Sequence, residues 1–246
     1  FILLVMGIAA WEWSSLAGIS NTVYRAFYVT ALLAAMVVST HNASPINLFF
    51  SMAIVCWFIA LLFICLYPAA QDFWSKKMAL IIAGLPLFVP GWLAFFVLRN
   101  QSNHEFHILL LFFLVAAADI GAYFAGRTFG KYKLAVRVSP NKTWEGFVGG
   151  VLACTLLLVI TALIFSEQLP EMDLMRWFKL VIMGLVIAAF SVVGDLFESM
   201  VKRNRDVKDS GTILPGHGGI LDRIDGLTAA APGYALCLIQ LGPEFL

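Results

Sequence analysis

The chain has 246 residues, of which 61% are hydrophobic and 13% are charged, and its mean hydropathy is +0.89. Because soluble domains carry about a quarter charged residues, this composition excludes an ordinary soluble domain and predicts an integral membrane protein. The net charge of +1 and the lack of a basic tail argue against nucleic acid as a partner. The four cysteines lie in apolar runs without metal-ligand spacing or a disulfide pattern.

Eight apolar runs predict membrane-spanning helices, each of which needs about 20 mostly apolar residues. They lie at roughly 1–18, 24–41, 46–67, 79–98, 107–127, 146–166, 177–198 and 225–241. Only helices and closed barrels cross lipid, and these runs are too long for barrel strands. We therefore expect an all-α, polytopic membrane helical bundle forming one domain over 1–246. Since the sequence opens inside an apolar run, we expect one further span before residue 1.

Small residues cluster in the fifth and sixth predicted spans, in the segments AAADIGAYFAG at 116–126 and GFVGG at 146–150. Small side chains allow helix backbones to approach closely. We therefore predict close helix packing at both segments.

The predicted spans divide the basic residues unevenly between the two sides of the membrane. If the spans alternate in direction, the side that contains the loop 199–224 receives thirteen of the 16 lysines and arginines. The other side receives Arg99, Arg176 and Lys179. Cytoplasmic loops are enriched in lysine and arginine, so we predict that the loop 199–224 faces the cytoplasm.

Acidic residues inside the spans gather toward that same side. Glu12, Asp119 and Asp195 each lie past the middle of their spans, and Asp222 and Asp225 open the last span. Ionisable residues within a membrane are costly and mark functional sites. The sequence therefore predicts one charged site at the cytoplasmic edge of the bilayer.

Two of these acids have competing interpretations. Asp119 is interpreted either as a ligand or as a hydrogen-bonding partner of another helix. Glu12 lies between Trp11 and Trp13, and tryptophans favour the membrane interface. We therefore expect Glu12 to be an interfacial anchor, whose replacement by glutamine is mild.

Asp222 and Asp225 are three residues apart and share one face of a helix. Mg²⁺ is commonly held by one or two carboxylates together with water and substrate phosphate. This pair therefore predicts a magnesium site, with Asp195 as a third ligand from the neighbouring helix. The alternative is that these acids form structural ion pairs with Arg203, Arg205 or Arg223.

The segment before the last span combines glycines with a histidine. Gly216, Gly218 and Gly219 precede a predicted helix start, where backbone N–H groups can cradle a phosphate; a plain turn is the alternative. His217 is expected to contact phosphate or a base, or to carry a proton, with a local structural hydrogen bond as the alternative. No Walker A motif is present.

Basic and hydroxyl side chains accompany these acids in two loops. In the loop 199–224, Lys202, Arg203 and Lys208 supply positive charge beside the acids, which suits phosphates; a positive-inside anchor is the alternative. In the segment 126–146, the phosphate-binding candidates are Lys133, Arg137, Lys142, Ser139 and Thr143. Asn141 is expected to cap a helix that begins near Lys142. These residues predict an enzyme that handles a phosphate-bearing, lipid-like substrate.

The window SMVKRNRDVKDSGTILPGHGGILDRID at 199–225 resembles the signature of the phosphatidate cytidylyltransferases, or CDP-diacylglycerol synthases, of the bacterial type. The resemblance extends to ADIGAYFAGRTFGKYKLAVRVSPNKTWEG at 118–146 and to GDLFESM at 194–200. It implies a catalytic part at 107–241 and less diagnostic helices at 1–106. It also implies an enzyme of the bacterial inner membrane whose site faces the cytoplasm.

The resemblance implies that CTP and phosphatidic acid react, with Mg²⁺, to give CDP-diacylglycerol and pyrophosphate for phospholipid biosynthesis. The implied metal ligands are Asp195, Asp222 and Asp225, and a second metal ion is compatible with them. Further catalytic candidates are Lys202, Arg203, Lys208, Asp209, His217 and Arg223. Candidates for substrate binding are Asp119, Ser139, Lys142, Thr143, Ser199, Gly216, Gly218 and Gly219. The sequence leaves the oligomeric state open, a homodimer included.

Three other functions compete with this interpretation. A CTP-dependent polyprenol or phytol kinase would share the nucleotide site but transfer the γ-phosphoryl group to an alcohol. A CDP-alcohol phosphatidyltransferase would carry a D-G-x-x-A-R motif, which this sequence lacks. A transporter would have inverted repeats with midplane sites, whereas these acids lie toward one side.

Overall fold

The computed structural model describes residues 1–41, 46–165 and 173–241 and confirms an all-α helical bundle. Its helices are α1 (Ile2–Leu16), α2 (Thr22–His41), α3 (Ile46–Leu66), α4 (Gln71–Trp74), α5 (Lys77–Arg99), α6 (His104–Phe129), α7 (Trp144–Ile164), α8 (Leu174–Asn204) and α9 (Leu221–Leu241). A short antiparallel hairpin of β1 (Lys133–Ala135) and β2 (Ser139–Thr143) joins α6 to α7.

Six helices in the described part of the chain are long and apolar enough to cross a membrane, namely α2, α3, α5, α6, α7 and α8. Of the other two predicted spans, α1 has only 15 residues. The last span, α9, contacts α1, α3, α5, α6 and α8, and Tyr234 and several of its alanines are fully buried. Because protein rather than lipid surrounds α9, its charged first turn is tolerated. Residue 166, the predicted end of the sixth span, lies outside the described residues.

The predicted site residues lie at helix ends that meet at one end of the bundle, which we call the charged end. There the indole of Trp13 in α1 donates to the carbonyl of Leu80 in α5 at 3.0 Å. Arg205, just after α8, donates to the carbonyl of Leu16 at 2.8 Å, and Glu12 contacts the start of α9. These contacts place the ends of α1 and α8 beside the starts of α5 and α9, in agreement with helices that alternate in direction.

The predicted close packing of the small-residue segments is confirmed where α6 meets α7. A Cβ atom added to Gly121 would lie 2.6 Å from the carbonyl oxygen of Gly149. A Cβ atom added to Gly149 would lie 2.8 Å from the carbonyl oxygen of Gly121. Any larger side chain would therefore separate the two helices, which hold the hairpin between them at the charged end.

The expected helix cap at Asn141 is wrong, because Asn141 lies in β2 and α7 begins later, at Trp144. Thr143 caps α7 instead, and its hydroxyl accepts a hydrogen bond from the backbone N–H of Gly146 at 3.1 Å. β2 pairs with β1 in the register Lys133 with Thr143. This strand pairing moves the start of the helix two residues past the predicted position.

Candidate active site

A cavity of about 550 Å³ opens between α6, β2, α7 and α8 at the charged end. We call it the charged cavity, because its lining includes Asp119, Arg127, Lys142 and Asp195. Lys142 Nζ lies 2.6 Å from Asp195 Oδ2. Thr143 also lines the cavity. The structure therefore brings together four predicted site residues from three separate segments of the chain, namely Asp119, Lys142, Thr143 and Asp195.

Asp195 is the carboxylate around which this cavity is organised. Its second oxygen, Oδ1, accepts a hydrogen bond from the Ser199 hydroxyl at 3.2 Å. Asp119 interacts electrostatically with both Lys142 and Asp195. Lys142 thus faces two carboxylates, and an anionic ligand would compete with Asp195 for it.

Asp225 lies between the charged cavity and the loop that precedes α9. Helices α8 and α9 approach closely there, because a Cβ atom added to Gly194 would lie 2.5 Å from the carbonyl oxygen of Asp225. The Asp225 carboxylate interacts electrostatically with Asp195, Lys142 and Lys202. It accepts one hydrogen bond, from the N–H of the adjacent Gly226 at 2.7 Å. Asp195 and Asp225 are thus two neighbouring carboxylates on facing helices.

Asp222 has a different environment, although it shares a helix face with Asp225. Its oxygens accept hydrogen bonds from Lys202 Nζ at 2.5 Å, from the N–H of Ser210 at 2.9 Å and from the N–H of Gly219 at 2.7 Å. Lys202 Nζ also lies 3.1 Å from the buried carboxylate of Glu198. Asp222 therefore fastens the loop 205–220 to the end of α8.

The expectation that Glu12 is an interfacial anchor is wrong. Glu12 is 3% exposed, and its carboxylate accepts hydrogen bonds from one group in the loop before α9 and from two groups at the start of α9. These are the Ser210 hydroxyl at 3.2 Å, the N–H of Ile220 at 3.1 Å and the N–H of Leu221 at 2.8 Å. Because the first N–H groups of a helix lack partners within the helix, a carboxylate from α1 satisfies them.

The glycines before α9 are required by these two carboxylates. Gly218 has a φ of +82°, and a Cβ atom there would lie 2.6 Å from Asp222 Oδ2. A Cβ atom on Gly219 would lie 2.5 Å from Glu12 Oε2. Gly216 has a φ of +73° and faces open space. The predicted phosphate cradle remains a prediction, and the N–H of Gly219 is already bonded to Asp222.

The remaining predicted residues lie around the edge of this arrangement. Arg203, Lys208, Asp209 and His217 are exposed, as is Arg223. His217 Nδ1 lies 3.1 Å from the Pro215 carbonyl, which is the local hydrogen bond named as its alternative. Ser139, at the start of β2, is not among the residues that line the charged cavity.

The arginines do not form the alternative ion pairs with the predicted metal ligands. Arg203, Arg205 and Arg223 each donate to a backbone carbonyl instead. The cations that contact the aspartates are lysines, with Lys142 on Asp195 and Lys202 on Asp222.

The predicted three-aspartate metal site is not preassembled. Among the described residues, no group of three or more histidine, cysteine, aspartate or glutamate side chains is arranged to hold a metal ion. Both oxygens of Asp222 are engaged by Lys202 and backbone N–H groups. Asp195 and Asp225 fit a divalent cation better, because two carboxylates and substrate phosphate suffice for Mg²⁺. The metal assignment remains a prediction.

Sequence reasoning did not single out Glu198 or Ser210. Glu198 is 3% exposed inside α8 and lies four residues before Lys202. An acid and a lysine at this spacing share a helix face. The spacing could therefore have indicated the ion pair between Glu198 and Lys202. Ser210 lies within the recognised signature, but nothing local indicates that its hydroxyl contacts Glu12, which is 198 residues away.

Replacing Lys202 with methionine is expected to destabilise the protein by about 3–5 kcal/mol, the usual cost of removing one partner of a buried ion pair. The change leaves the carboxylates of Glu198 and Asp222 without their cation, although both are nearly buried. The measurement is the unfolding midpoint in detergent. Lys76→Met, at an exposed lysine, is the control, and an equal midpoint for both variants would contradict this interpretation.

Apolar helices that enclose buried carboxylates and a charged cavity at one end define a polytopic membrane protein. The chain belongs to the cytidylyltransferase family, whose family model matches residues 1–240. A phosphatidate cytidylyltransferase of Pseudomonas aeruginosa is 38% identical over 98% of this chain and 88% of its own length. A phosphatidate cytidylyltransferase of Haemophilus influenzae is 39% identical over 94% of this chain and 85% of its own length. A phosphatidate cytidylyltransferase of Staphylococcus haemolyticus is 43% identical over 61% of this chain and 55% of its own length.

Proposed function

We propose that this protein is an enzyme that transfers the cytidylyl group of CTP to phosphatidic acid, giving CDP-diacylglycerol and pyrophosphate for phospholipid biosynthesis. The observation that carries the proposal is the identity of 38–39%, over nearly the whole chain, with two phosphatidate cytidylyltransferases. The charged cavity supports the location of the reaction at one end of the bundle. The lipid-kinase alternative gains no support from these relatives.

The reaction requires little acid–base chemistry. A phosphate oxygen of phosphatidate attacks the α-phosphorus of CTP and forms a new P–O bond. The bond from that phosphorus to the oxygen bridging to the β-phosphate breaks, and pyrophosphate leaves with its electrons. Because the nucleophile is already an anion, catalysis rests on positioning and charge neutralisation.

The residues of the charged cavity suit that task. Lys142 lies in the cavity, held by Asp195, and Arg127 is a second cation in the lining. A phosphate that displaces Asp195 from Lys142 would gain a charge-assisted hydrogen bond. The exposed Arg203, Lys208 and Arg223 would attract the triphosphate to the cavity from solution.

Asp195 and Asp225 are the residues we propose to hold Mg²⁺, with Asp222 recruited only if Lys202 moves. When bound, Mg²⁺ would neutralise charge on the phosphate oxygens of both substrates. Asp119, which interacts electrostatically with Asp195, is the further carboxylate available to a second ion. Lys142, which pairs with Asp195, would share this carboxylate with the ion.

The proposed location is the bacterial inner membrane, with the charged end toward the cytoplasm. In the described part of the chain six helices are suited to crossing the bilayer, and thirteen of the 16 basic residues belong to loops assigned to the side of the charged end. This distribution follows the enrichment of lysine and arginine in cytoplasmic loops. CTP would then reach the charged cavity from the cytosol.

The proposal is tested with the purified protein in lipid nanodiscs, supplied with CTP and either phosphatidate or phytol. We expect CDP-diacylglycerol and pyrophosphate from phosphatidate in the presence of Mg²⁺, and none when EDTA replaces the metal. Formation of phytyl phosphate and CDP, with no product from phosphatidate, would overturn the proposal in favour of a lipid kinase.

A further inference from the structure

A second cavity, of about 380 Å³, adjoins the charged cavity at the charged end. It lies between the end of α3, the hairpin, α7 and α8, and most of its lining is apolar. We call it the apolar groove. Leu134, Phe147 and Val192 line both cavities. The two spaces are therefore separated by a single layer of side chains.

The apolar groove follows one face of α8 away from the charged end. Its α8 residues are Ala189, Val192, Val193 and Leu196. Their spacing of three, four and seven residues is that of a single helix face. From Leu196, next to Asp195, the face extends to Ala189, about 10 Å deeper at 1.5 Å per residue. The groove thus begins beside the charged cavity and leads into the apolar interior.

Arg137 is the charged residue in the lining of the groove. It lies between the two hairpin strands and is exposed, and among the described residues no hydrogen bond or ion pair engages it. Val136 and Trp144, which also line the groove, are 62% and 53% exposed. Exposed apolar side chains beside an unpaired cation match the polar–apolar boundary of a membrane, where tryptophan is enriched.

We propose that the apolar groove binds an acyl chain of the phosphatidate substrate, with the lipid phosphate at the junction near Arg137 and Lys142. The inference rests on the proposed function. Charge complementarity supports an anionic lipid, since no described residue pairs with Arg137 and Lys142 lies on the other side of the shared wall. The position of the groove beside the charged cavity would bring the phosphate of a bound lipid to the site where CTP is handled.

A third cavity, of about 250 Å³, lies between α3, α4, α5 and α8 and is the competing location for the chain. Trp57 and Trp74 line it, and their buried indole N–H groups have no hydrogen-bond partner among the residues that the structure describes. None of its lining residues also lines the charged cavity. A lipid held there would have no direct path for its phosphate, so the apolar groove is favoured.

The test fills the deep end of the groove with the substitution Ala189→Trp. We expect the KM for dioleoyl phosphatidate to rise at least about tenfold, because several methylene groups lose their apolar contacts. The KM for dihexanoyl phosphatidate and for CTP should stay within about twofold, since neither reaches the deep end. Ala116→Trp, at an exposed alanine of α6 outside these cavities, is the matched control. An unchanged chain-length dependence in Ala189→Trp would overturn the proposal.

A second measurement uses the unmodified protein and phosphatidate with a photoreactive diazirine near the end of one acyl chain. We expect cross-links in the α8 segment 189–196 or at Leu61 and Ile64 of α3, which line the groove. Cross-links concentrated at Trp57 and Phe73 would place the chain in the third cavity and overturn the proposal. If cross-links fall in the groove but no CDP-lipid forms, the proposed reaction fails while the lipid site stands.

Discussion

Replacing Asp225 with asparagine is expected to lower the rate of CDP-diacylglycerol formation at least about 100-fold, the usual scale for loss of one preorganised electrostatic group. Asp225 supplies one of two neighbouring carboxylates on facing helices, and asparagine removes its charge at almost constant volume. The fold should persist, because the single hydrogen bond from Gly226 can be accepted by the asparagine oxygen. The rate is measured with saturating CTP and phosphatidate, together with the unfolding midpoint.

The matched control is Asp173→Asn. Asp173 caps α8 at the opposite end of the bundle, where its side chain accepts from the N–H of Arg176 at 2.8 Å. Asparagine is an equally good cap, so this variant should keep both stability and turnover. Turnover of Asp225→Asn equal to that of the unmodified protein would remove Asp225 from the proposed metal site.

Replacing Glu12 with alanine is expected to destabilise the charged end and to lower activity at least about tenfold, since a buried donor left without a partner costs about 1–3 kcal/mol. Three donors lose their acceptor, namely the Ser210 hydroxyl and the N–H groups of Ile220 and Leu221. Glu12→Gln should have an intermediate effect rather than the mild one expected of an anchor. The amide NH₂ of the glutamine cannot accept a hydrogen bond, so at least one of the three donors would lose its partner.

The measurements are the unfolding midpoint and the hydrogen exchange of the Ile220 and Leu221 amides. Faster exchange at these two positions separates release of the α9 start from a general loss of stability. Glu105→Ala, at an exposed glutamate in the first turn of α6, is the control. Exchange in Glu12→Ala as slow as in the unmodified protein would contradict the role given to this carboxylate.

The sequence predicted those parts of the fold that depend on the composition of a single segment. The apolar runs predicted the helices, and the small residues predicted the close contact of α6 with α7, because backbone approach depends on side-chain size alone. The start of α7 could not be predicted in this way, because it depends on a strand pairing and not on local sequence. Asn141 is as good a cap as Thr143 in isolation, but pairing of β2 with β1 decides which of them precedes the helix.

The sequence predicted which residues belong to the candidate site, but it did not predict which of their side chains contact one another. Asp222 and Asp225 look equivalent by spacing, yet Lys202 and two backbone N–H groups engage Asp222, and Asp225 faces Asp195. Glu12 contacts Leu221 across 209 residues of sequence. Such contacts depend on how the helices pack, and no local pattern encodes them.

The role of α1 follows from that long-range contact. The carboxylate of Glu12 reaches the start of α9 from the N-terminal part of the chain, where the sequence signature is weakest. It holds the backbone that immediately precedes Asp222 and, one helical turn further, Asp225. A change in the position of α1 would therefore alter the alignment of Asp225 with Asp195.

The fate of the phosphorus atoms of CTP distinguishes cytidylyl transfer from phosphoryl transfer. Purified protein with phosphatidate and Mg²⁺ is given CTP labelled with ³²P at the α-phosphorus or, in a parallel reaction, at the γ-phosphorus. We expect the α-label to enter the lipid product and the γ-label to leave as pyrophosphate. Recovery of the γ-label in the lipid, with the α-label remaining in CDP, would contradict the proposed cytidylyl transfer.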